Sequence, residues 1–223
     1  GYTYKEDFLS GSGAAAAGGV TTVIDMPNTD PPVTTVAALN AKREIIAGRS
    51  YVNYGFYFGA TEENIDEIEA ALKMGVFGVK ICMARTTGGI LVKTTEGLER
   101  ILKLGALSIV HAEDEDMIGD YDAKLSGAVE PRTHSLIRNP NTALSATKRI
   151  IHLAKKHNAR VHITHLSTAL EVEELRKCKT SNITADATPH HLFLTDDAYH
   201  ILGNFAKVNP PLRFDEDREA LWR

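Results

Sequence analysis

Residues 76–83, VFGVKICM, form an apolar stretch with one lysine, Lys80, near its centre. Six of these eight residues are apolar and four of the six are β-branched or aromatic, which is typical of a strand covered on both faces in a parallel sheet. Because an unpaired ammonium group is very costly to bury, we expect the Lys80 amine to be neutral, paired or chemically modified. The stretch therefore predicts a buried strand whose lysine has a special chemical role.

Strands and helices alternate along the whole chain. Segments with strand composition lie at residues 20–26, 51–58, 76–83, 107–111, 159–165 and 183–187. Helices are predicted at residues 5–17, 34–47, 61–74, 94–104, 141–157, 168–177 and 216–222. Thr3 would cap the first helix, with Glu6 completing a capping box. This alternation favours a parallel sheet with right-handed crossovers, either doubly wound or closed as a barrel.

Polar residues lie at or just past the carboxyl ends of five predicted strands. They are Asn28, Lys80, His111, His165 and the segment 186–191. An open sheet gathers its ligands at one switch point, whereas the loops of a barrel all converge on one mouth. Contributions from successive strands therefore favour a barrel. We predict a single domain over residues 1–223, an incomplete TIM-type (β/α)8 barrel with about six of its eight βα units.

The segment 112–140 is the longest interruption of this alternation. It begins with the acidic run HAEDED and ends with PRTHSLIRNP, and it is more polar than a typical protein core. We therefore predict a partly helical loop at the active site, outside the core.

Composition excludes several classes of function. A net charge of −4 with interspersed signs argues against a nucleic-acid partner, and no apolar run approaches the length of a membrane span. Cys82 and Cys178 are 96 positions apart, which fits thiols in a reducing compartment better than a disulfide framework. We therefore expect a cytoplasmic protein that acts on a small molecule.

The two histidines at successive strand ends, His111 and His165, suit a zinc site that is open to substrate. His162 lies three positions before His165 and would point to the opposite face of the strand, where it would pack or contact a ligand residue. Either histidine alone would more simply be a surface residue. Together with Lys80, the pair predicts a metal centre.

Two interpretations of Lys80 remain open. One is a buried salt bridge, to Asp25 or to Asp186. The other is a carbamate, formed when the neutral amine captures carbon dioxide, which could bridge two metal ions. Such ions would activate water and polarise an amide carbonyl, so this second interpretation predicts metal-assisted hydrolysis of a C–N bond.

Six motifs in sequence order carry a resemblance to a known family. They are VIDMPNTDPP at 23–32, GVKICMA at 78–84, VHAEDE at 110–115, HITHLST at 162–168, TPHHLFL at 188–194 and KVNPPLR at 207–213. Together they resemble the dihydroorotases, within the amidohydrolase superfamily of metal-dependent TIM barrels. Hydantoinases, dihydropyrimidinases and allantoinases share the metal motifs, but MPNT and NPPLR are more similar to the dihydroorotase branch.

The resemblance implies roles for particular residues. Lys80 would be the carboxylated lysine that bridges one or two zinc ions, and His111 and His165 would be metal ligands. Asn28 and Asn209 would bind the substrate. Arg213 is a weaker candidate for that role.

The resemblance also implies a reaction and partners. The parent enzyme would catalyse the reversible, zinc-dependent hydrolysis of the cyclic amide of dihydroorotate to N-carbamoyl-L-aspartate in pyrimidine biosynthesis. Association as a homo-oligomer and with aspartate transcarbamoylase would fit this family. Two alternatives remain, another cyclic amidase or a non-catalytic scaffold similar to a dihydroorotase.

The sequence departs from the family pattern at two points. The H-x-H-x-R pattern of the first strand is absent, and so is the D-x-A-P-H segment whose aspartate acts as general acid and base. We therefore assign no catalytic residue within these 223 residues and expect the fragment to be inactive alone.

Overall fold

The computed structural model describes residues 3–128, 130–178 and 180–223. The chain forms two compact units, the first made of residues 1–81 and 85–108 and the second of residues 82–84 and 109–223. The prediction of a single domain stays a prediction.

The first unit alternates helix and strand, as predicted. Its elements are α1 (Phe8–Ala17), β1 (Thr22–Asp25), α2 (Val36–Ile46), β2 (Asn53–Gly59), α3 (Ile65–Lys73), β3 (Gly78–Cys82) and α4 (Thr95–Leu102). β2 lies between β1 and β3 and is parallel to both, with Asp25 opposite Phe56 and Gly59 opposite Lys80. The three strands are therefore in sequence order, as successive βα units require.

The predicted start of α1 is wrong. Asp7, not Thr3, caps the helix, because its carboxylate accepts a hydrogen bond from the Ser10 backbone N–H at 2.8 Å. The Ser10 hydroxyl oxygen in turn accepts one from the Asp7 N–H at 3.1 Å, which completes a capping box. Glu6 is close to Gly11, where an added Cβ would lie 2.9 Å from the Glu6 carboxyl carbon. The predicted box at Thr3 and Glu6 therefore does not form.

β3 is buried along its whole length, as its composition predicts. Gly78 is the first residue of β3 and lies next to Leu107. The Val79 N–H donates to the Leu107 carbonyl at 2.8 Å. A Cβ on Gly78 would lie 2.5 Å from that same carbonyl oxygen, so no larger residue fits at this position without a backbone shift. Lys80 is only 4 % exposed.

The second unit contains the remaining strands and most of the helices. Its elements are β4 (Ser108–His111), α5 (Glu115–Lys124), α6 (Thr133–Ile137), α7 (Pro140–His157), β5 (Val161–Ile163), α8 (Ala169–Lys177), β6 (Ile183–Ala185), α9 (Pro189–Phe193), α10 (Ala198–Leu202), a 3₁₀ helix (Gly203–Ala206) and α11 (Asp215–Trp222). β5 lies between β4 and β6 and is parallel to β6. The Thr164 N–H, just past β5, donates to the Val110 carbonyl of β4 at 3.1 Å.

The segment 112–140 is partly helical, as predicted, since it contains α5 and α6. The expectation that it lies outside the core is wrong for four of its described residues, since Ala112, Glu113, Thr133 and Arg138 are buried. Glu113 is fully buried, and Thr133 and Arg138 are each 9 % exposed. Glu113 and Arg138 form an ion pair with each other, and Arg213 lies near Glu113 from much further along the sequence.

Within the described residues, none of the helices has both the length and the apolar character that crossing a membrane requires.

Candidate functional site

The first unit contains two of the predicted site residues, Lys80 and Asn28. β3 places the Lys80 side chain in the protein interior. Asp25, one of the two carboxylates considered as its partner, forms an ion pair with Lys42 of α2. Asn28 follows β1 and is partly buried.

The loop 86–89 lies against the backbone next to Asn28. Gly88 has a φ of +86°, and a Cβ at this position would be 3.0 Å from the Thr29 carbonyl oxygen and 3.2 Å from the Asn28 Cα. A glycine is required here both by the left-handed backbone and by this close approach. The loop therefore helps to fix the Asn28 backbone.

The second unit brings His111 and His165 together. His111 Nδ1 and His165 Nε2 are 3.2 Å apart, and the two rings meet edge to face with centroids 4.9 Å apart. His111 is the last residue of β4 and is 2 % exposed. His165 follows β5 in a left-handed conformation, with φ of +49°, which is uncommon for a residue with a side chain. The pair is thus brought together by two neighbouring strands.

The geometry of this pair fits a zinc ion. A tetrahedral zinc ion with bonds of about 2.0–2.1 Å to nitrogen holds two ligand nitrogens about 3.3–3.4 Å apart. The observed separation of 3.2 Å between the two imidazole nitrogens is close to that value. Within the described residues, no group of three or more His, Cys, Asp or Glu side chains is arranged to hold a metal ion.

Glu113 orients the first of these histidines. Its Oε2 lies 2.9 Å from His111 Nε2, and both side chains are almost fully buried. A carboxylate accepts hydrogen bonds, so a hydrogen on His111 Nε2 would face Glu113 and would leave the Nδ1 lone pair directed towards His165. This carboxylate–histidine arrangement is typical of residues that bind metal ions.

Two arginines keep Glu113 ionised. Arg138 forms an ion pair with Glu113 Oε2, and Arg213 Nη2 lies 3.9 Å from Oε1. Burial raises the pKa of Glu113, but the contact with His111 and the positive charges of Arg138 and Arg213 lower that pKa to about 2. The carboxylate therefore stays negative in the protein interior at neutral pH.

Arg213, a predicted candidate for substrate binding, is 4 % exposed. Its Nε donates to the Ser167 hydroxyl at 3.1 Å, and its Nη1 donates to the Arg138 carbonyl. The guanidinium group therefore contacts protein groups in the interior.

Asp186 holds the backbone at the second histidine. Its Oδ1 accepts the His165 backbone N–H at 2.5 Å, and its Oδ2 lies 2.8 Å from His162 Nε2. Burial raises the pKa of Asp186, but the hydrogen bonds from His162 and from the His165 N–H outweigh this effect and lower it. His162 therefore supports His165 through Asp186, although it does not face the His111–His165 pair.

Asn209, the remaining predicted substrate residue, lies in the second unit and is exposed. It precedes Pro210, which is buried.

Sequence reasoning missed Glu113 as a functional residue, although its spacing offered a signal. In an extended chain, the side chains of residues two positions apart point to the same side, so the side chain of Glu113 is expected on the same face as that of His111. The acidic run around it was interpreted as part of an active-site loop outside the core, and that interpretation did not predict the pairing of Glu113 with His111.

No protein-family model matches the chain. Among curated proteins it is 39% identical to the dihydroorotase of Methanosarcina mazei over 234 residues, and 34% identical to that of Halobacterium salinarum over 226 residues. These alignments cover 99% and 100% of this chain, but only 51% and 52% of the two relatives. The chain thus spans about half the length of the curated relatives it matches.

Solved structures give the same result for the fold. The L-hydantoinase of Arthrobacter aurescens superposes with a TM-score of 0.90 at 28% identity, and the dihydropyrimidinase of Brevibacillus agri with a TM-score of 0.84 at 27% identity. Each match covers 97% of this chain and 50% of the solved chain. The predicted fold class, an incomplete (β/α) barrel, is confirmed by this likeness.

The sequence and structural comparisons agree with each other and with the six motifs. The chain is therefore a relative of the dihydroorotases along nearly its whole length, and it corresponds to about half of such a protein.

Proposed function

We propose that this chain forms part of a dihydroorotase, an enzyme that reversibly hydrolyses the cyclic amide of dihydroorotate to N-carbamoyl-L-aspartate. The observation that carries the proposal is the pair of imidazole nitrogens of His111 and His165, 3.2 Å apart, with Glu113 fixing the tautomer of the first. Identity of 34–39% with dihydroorotases over nearly the whole chain supports the choice of this reaction.

His111 Nδ1 and His165 Nε2 would hold a zinc ion. When bound, zinc would supply Lewis-acid polarisation of the amide carbonyl and would lower the pKa of water at the site. Two carboxylates of the chain hold the two proposed ligands in place. Glu113 keeps the Nδ1 lone pair of His111 available, and Asp186 keeps the His165 backbone in its left-handed conformation.

Lys80 would carry a carbamate and contribute to binding one or two metal ions. Lys80 lies in a fully buried strand, where the negative charge of a carbamate would be neutralised by the metal ions that it would bind. Asn28 and Asn209 would bind the substrate. The loop at Gly88 supports this role for Asn28 by fixing its backbone.

The wider setting belongs to the same proposal. We place the protein in pyrimidine biosynthesis in the cytoplasm, acting on a small molecule. The wide separation of Cys82 and Cys178 in the sequence supports a reducing compartment. A homo-oligomer and association with aspartate transcarbamoylase would fit the family.

Zinc binding is tested on the chain itself, by competition with a chromogenic chelator. His111→Ala and His165→Ala should each weaken zinc binding by more than about 100-fold, since removing even a partner of a ligand costs about 10–100-fold. His152→Ala is the matched control, because His152 lies exposed on α7. Equal zinc affinity in His111→Ala and in the control would contradict the proposed site.

The modification of Lys80 is tested by ¹³C NMR after equilibration with ¹³C-bicarbonate. A carbamate signal that disappears in Lys80→Arg would support the proposal. A spectrum that is the same in both proteins would contradict it.

The reaction is tested on the complete protein that carries these residues. Dihydroorotate, hydantoin, dihydrouracil and allantoin would be compared side by side. Because the solved structures that superpose include an L-hydantoinase and a dihydropyrimidinase, a cyclic amidase of that kind is the second candidate. Preferential turnover of hydantoin or dihydrouracil would contradict the dihydroorotase proposal and support the second candidate function.

A further inference from the structure

The segment 207–213 carries Asn209 and is held through its backbone carbonyl groups. Three side chains contact alternate carbonyl oxygens of this segment, and together we call them the carbonyl clamp. The contacts are His134 Nε2 with Val208 O at 3.0 Å, His191 Nε2 with Pro210 O at 3.0 Å, and Ser135 Oγ with Leu212 O at 3.2 Å. The carbonyls on both sides of Asn209 are thus held by histidines.

The contacts of His191 determine its tautomer. A carbonyl oxygen can only accept, so Nε2 of His191 carries the hydrogen that it donates to Pro210. Its Nδ1 is then an acceptor, 2.7 Å from the Thr188 hydroxyl, which must donate to it. The Thr188 oxygen in turn lies 2.9 Å from His190 Nε2. A directed chain of hydrogen bonds therefore runs from His190 through Thr188 and His191 to the residue after Asn209.

Both histidines of the clamp are neutral at neutral pH. Burial lowers the pKa of His191 to about 4, although the hydrogen bond to Pro210 opposes this effect. Burial also lowers the pKa of His134, against the hydrogen bonds with the Val208 carbonyl and the Asn209 side chain. A neutral imidazole has one donor nitrogen, so each ring has one defined orientation towards its carbonyl.

Asn209 itself is exposed, whereas Pro210 is buried and Val208 is partly buried. An exposed amide on a backbone held at both neighbours loses little freedom when it binds a ligand. We propose that His134 and His191 are positioning residues that hold Asn209 ready to contact the substrate. This inference rests on the proposed function for the substrate, but the clamp itself can be measured without substrate.

The first experiment measures hydrogen–deuterium exchange by mass spectrometry on the chain, over peptides that contain residues 204–209. In Thr188→Val the donor to His191 Nδ1 is lost, and exchange should rise about 5–10-fold, the effect of one hydrogen bond. Thr188→Ser keeps the hydroxyl and should restore exchange to the wild-type rate. The side chain of Thr188 makes no capping hydrogen bond to α9, so loss of a cap does not confuse the comparison.

His191→Ala and His134→Ala should raise exchange in the same peptides by at least as much. His200→Ala is the control, since His200 is exposed on α10 and belongs to the same unit. If a histidine variant does not fold, the Thr188 pair still gives the answer. Exchange that is the same in Thr188→Val and Thr188→Ser would overturn the clamp.

The second experiment measures kinetics with dihydroorotate on the complete protein that carries these residues. Thr188→Val should raise KM about 5–10-fold while kcat changes less, and Thr188→Ser should restore KM. Asn209→Ala separates the two proposals. One outcome would be that Asn209→Ala leaves KM unchanged while Thr188→Val still raises exchange. The clamp would then exist, but Asn209 would not bind the substrate. The positioning role would be overturned because this part of the proposed function is wrong.

Discussion

The buried carboxylate of Glu113 provides the sharpest test of the second unit. Glu113→Gln keeps the size of the side chain but removes the charge opposite Arg138 and Arg213. The lowering of the pKa of Glu113 from 4.5 to about 2 corresponds to about 3 kcal/mol of stabilisation of the charged form. Removing one partner of a buried ion pair costs about 3–5 kcal/mol in other proteins. We therefore expect Glu113→Gln to lower the free energy of unfolding by about 3–4 kcal/mol.

The measurement is urea unfolding followed by circular dichroism. Glu219→Gln is the matched control, because Glu219 forms an exposed pair with Arg223 at 3.1 Å, and this change should cost less than about 0.5 kcal/mol. Adding Arg138→Met to Glu113→Gln should recover part of the loss, since one unpaired buried charge is then removed. A loss in Glu113→Gln within about 1 kcal/mol of the control would refute the reasoning, because the carboxylate would then not be the centre of a buried charge network.

Two further predictions concern pH and backbone conformation. The imidazole of His191 takes up a proton near pH 6.5 in the unfolded chain but only near 4 in the folded protein, so the unfolded state binds more protons between these values. Stability should therefore fall by about 3 kcal/mol as the pH falls from 6.5 to 4, and urea midpoints measured against pH should show a smaller fall in His191→Gln. Gly88→Ala should cost about 1–3 kcal/mol because its φ is +86° and its Cβ would be 3.0 Å from the Thr29 carbonyl oxygen. Gly119→Ala on α5, where nothing lies within 4 Å, should instead stabilise by about 0.5–1 kcal/mol, and equal thermal midpoints for the two variants would contradict the prediction.

The alternation of elements could be predicted because its signals are local. Apolar composition identifies β3, and hydroxyl side chains mark helix starts within a few residues of the apolar run they precede. The helices predicted to begin at residues 94 and 168 begin one residue later, and Thr94 and Thr168 are their caps. The predicted start of α1 was wrong because Asp7 and Ser10 form a reciprocal capping box, which begins the helix at Phe8.

The candidate site could be predicted only in part. The histidines at strand ends were found because parallel strands place their carboxyl ends together. The burial of Glu113 could not be predicted, because it depends on Arg138, which is 25 residues away, and on Arg213, which is 100 residues away. A local polar pattern is the same whether its charges face water or face partners from elsewhere in the fold.

The carbonyl clamp illustrates the same limit for neutral groups. The sequence TPHHLFL gives no indication that one of its histidines donates to a carbonyl 19 residues later, and His134 was not singled out at all. Both contacts depend on a backbone segment that contains two consecutive prolines, Pro210 and Pro211, neither of which has an N–H to donate. This segment cannot form a regular ladder, so its carbonyls need side-chain donors. Histidine suits this role because one neutral ring can donate from one nitrogen and be oriented through the other.

Two different kinds of contact therefore orient the two histidines of the proposed metal site. The ring of His111 contacts a carboxylate two residues further along the chain, whereas the backbone of His165 is held by Asp186, which directly follows β6. In both cases the order is established by protein groups alone, since each contact forms between described side chains and backbone. A site that is ordered before it binds spends little of its binding free energy on rearrangement. If the pair binds a metal ion as proposed, the carboxylates of Glu113 and Asp186 would contribute to the affinity by holding the two histidines in place, although less than the imidazoles that would contact the ion.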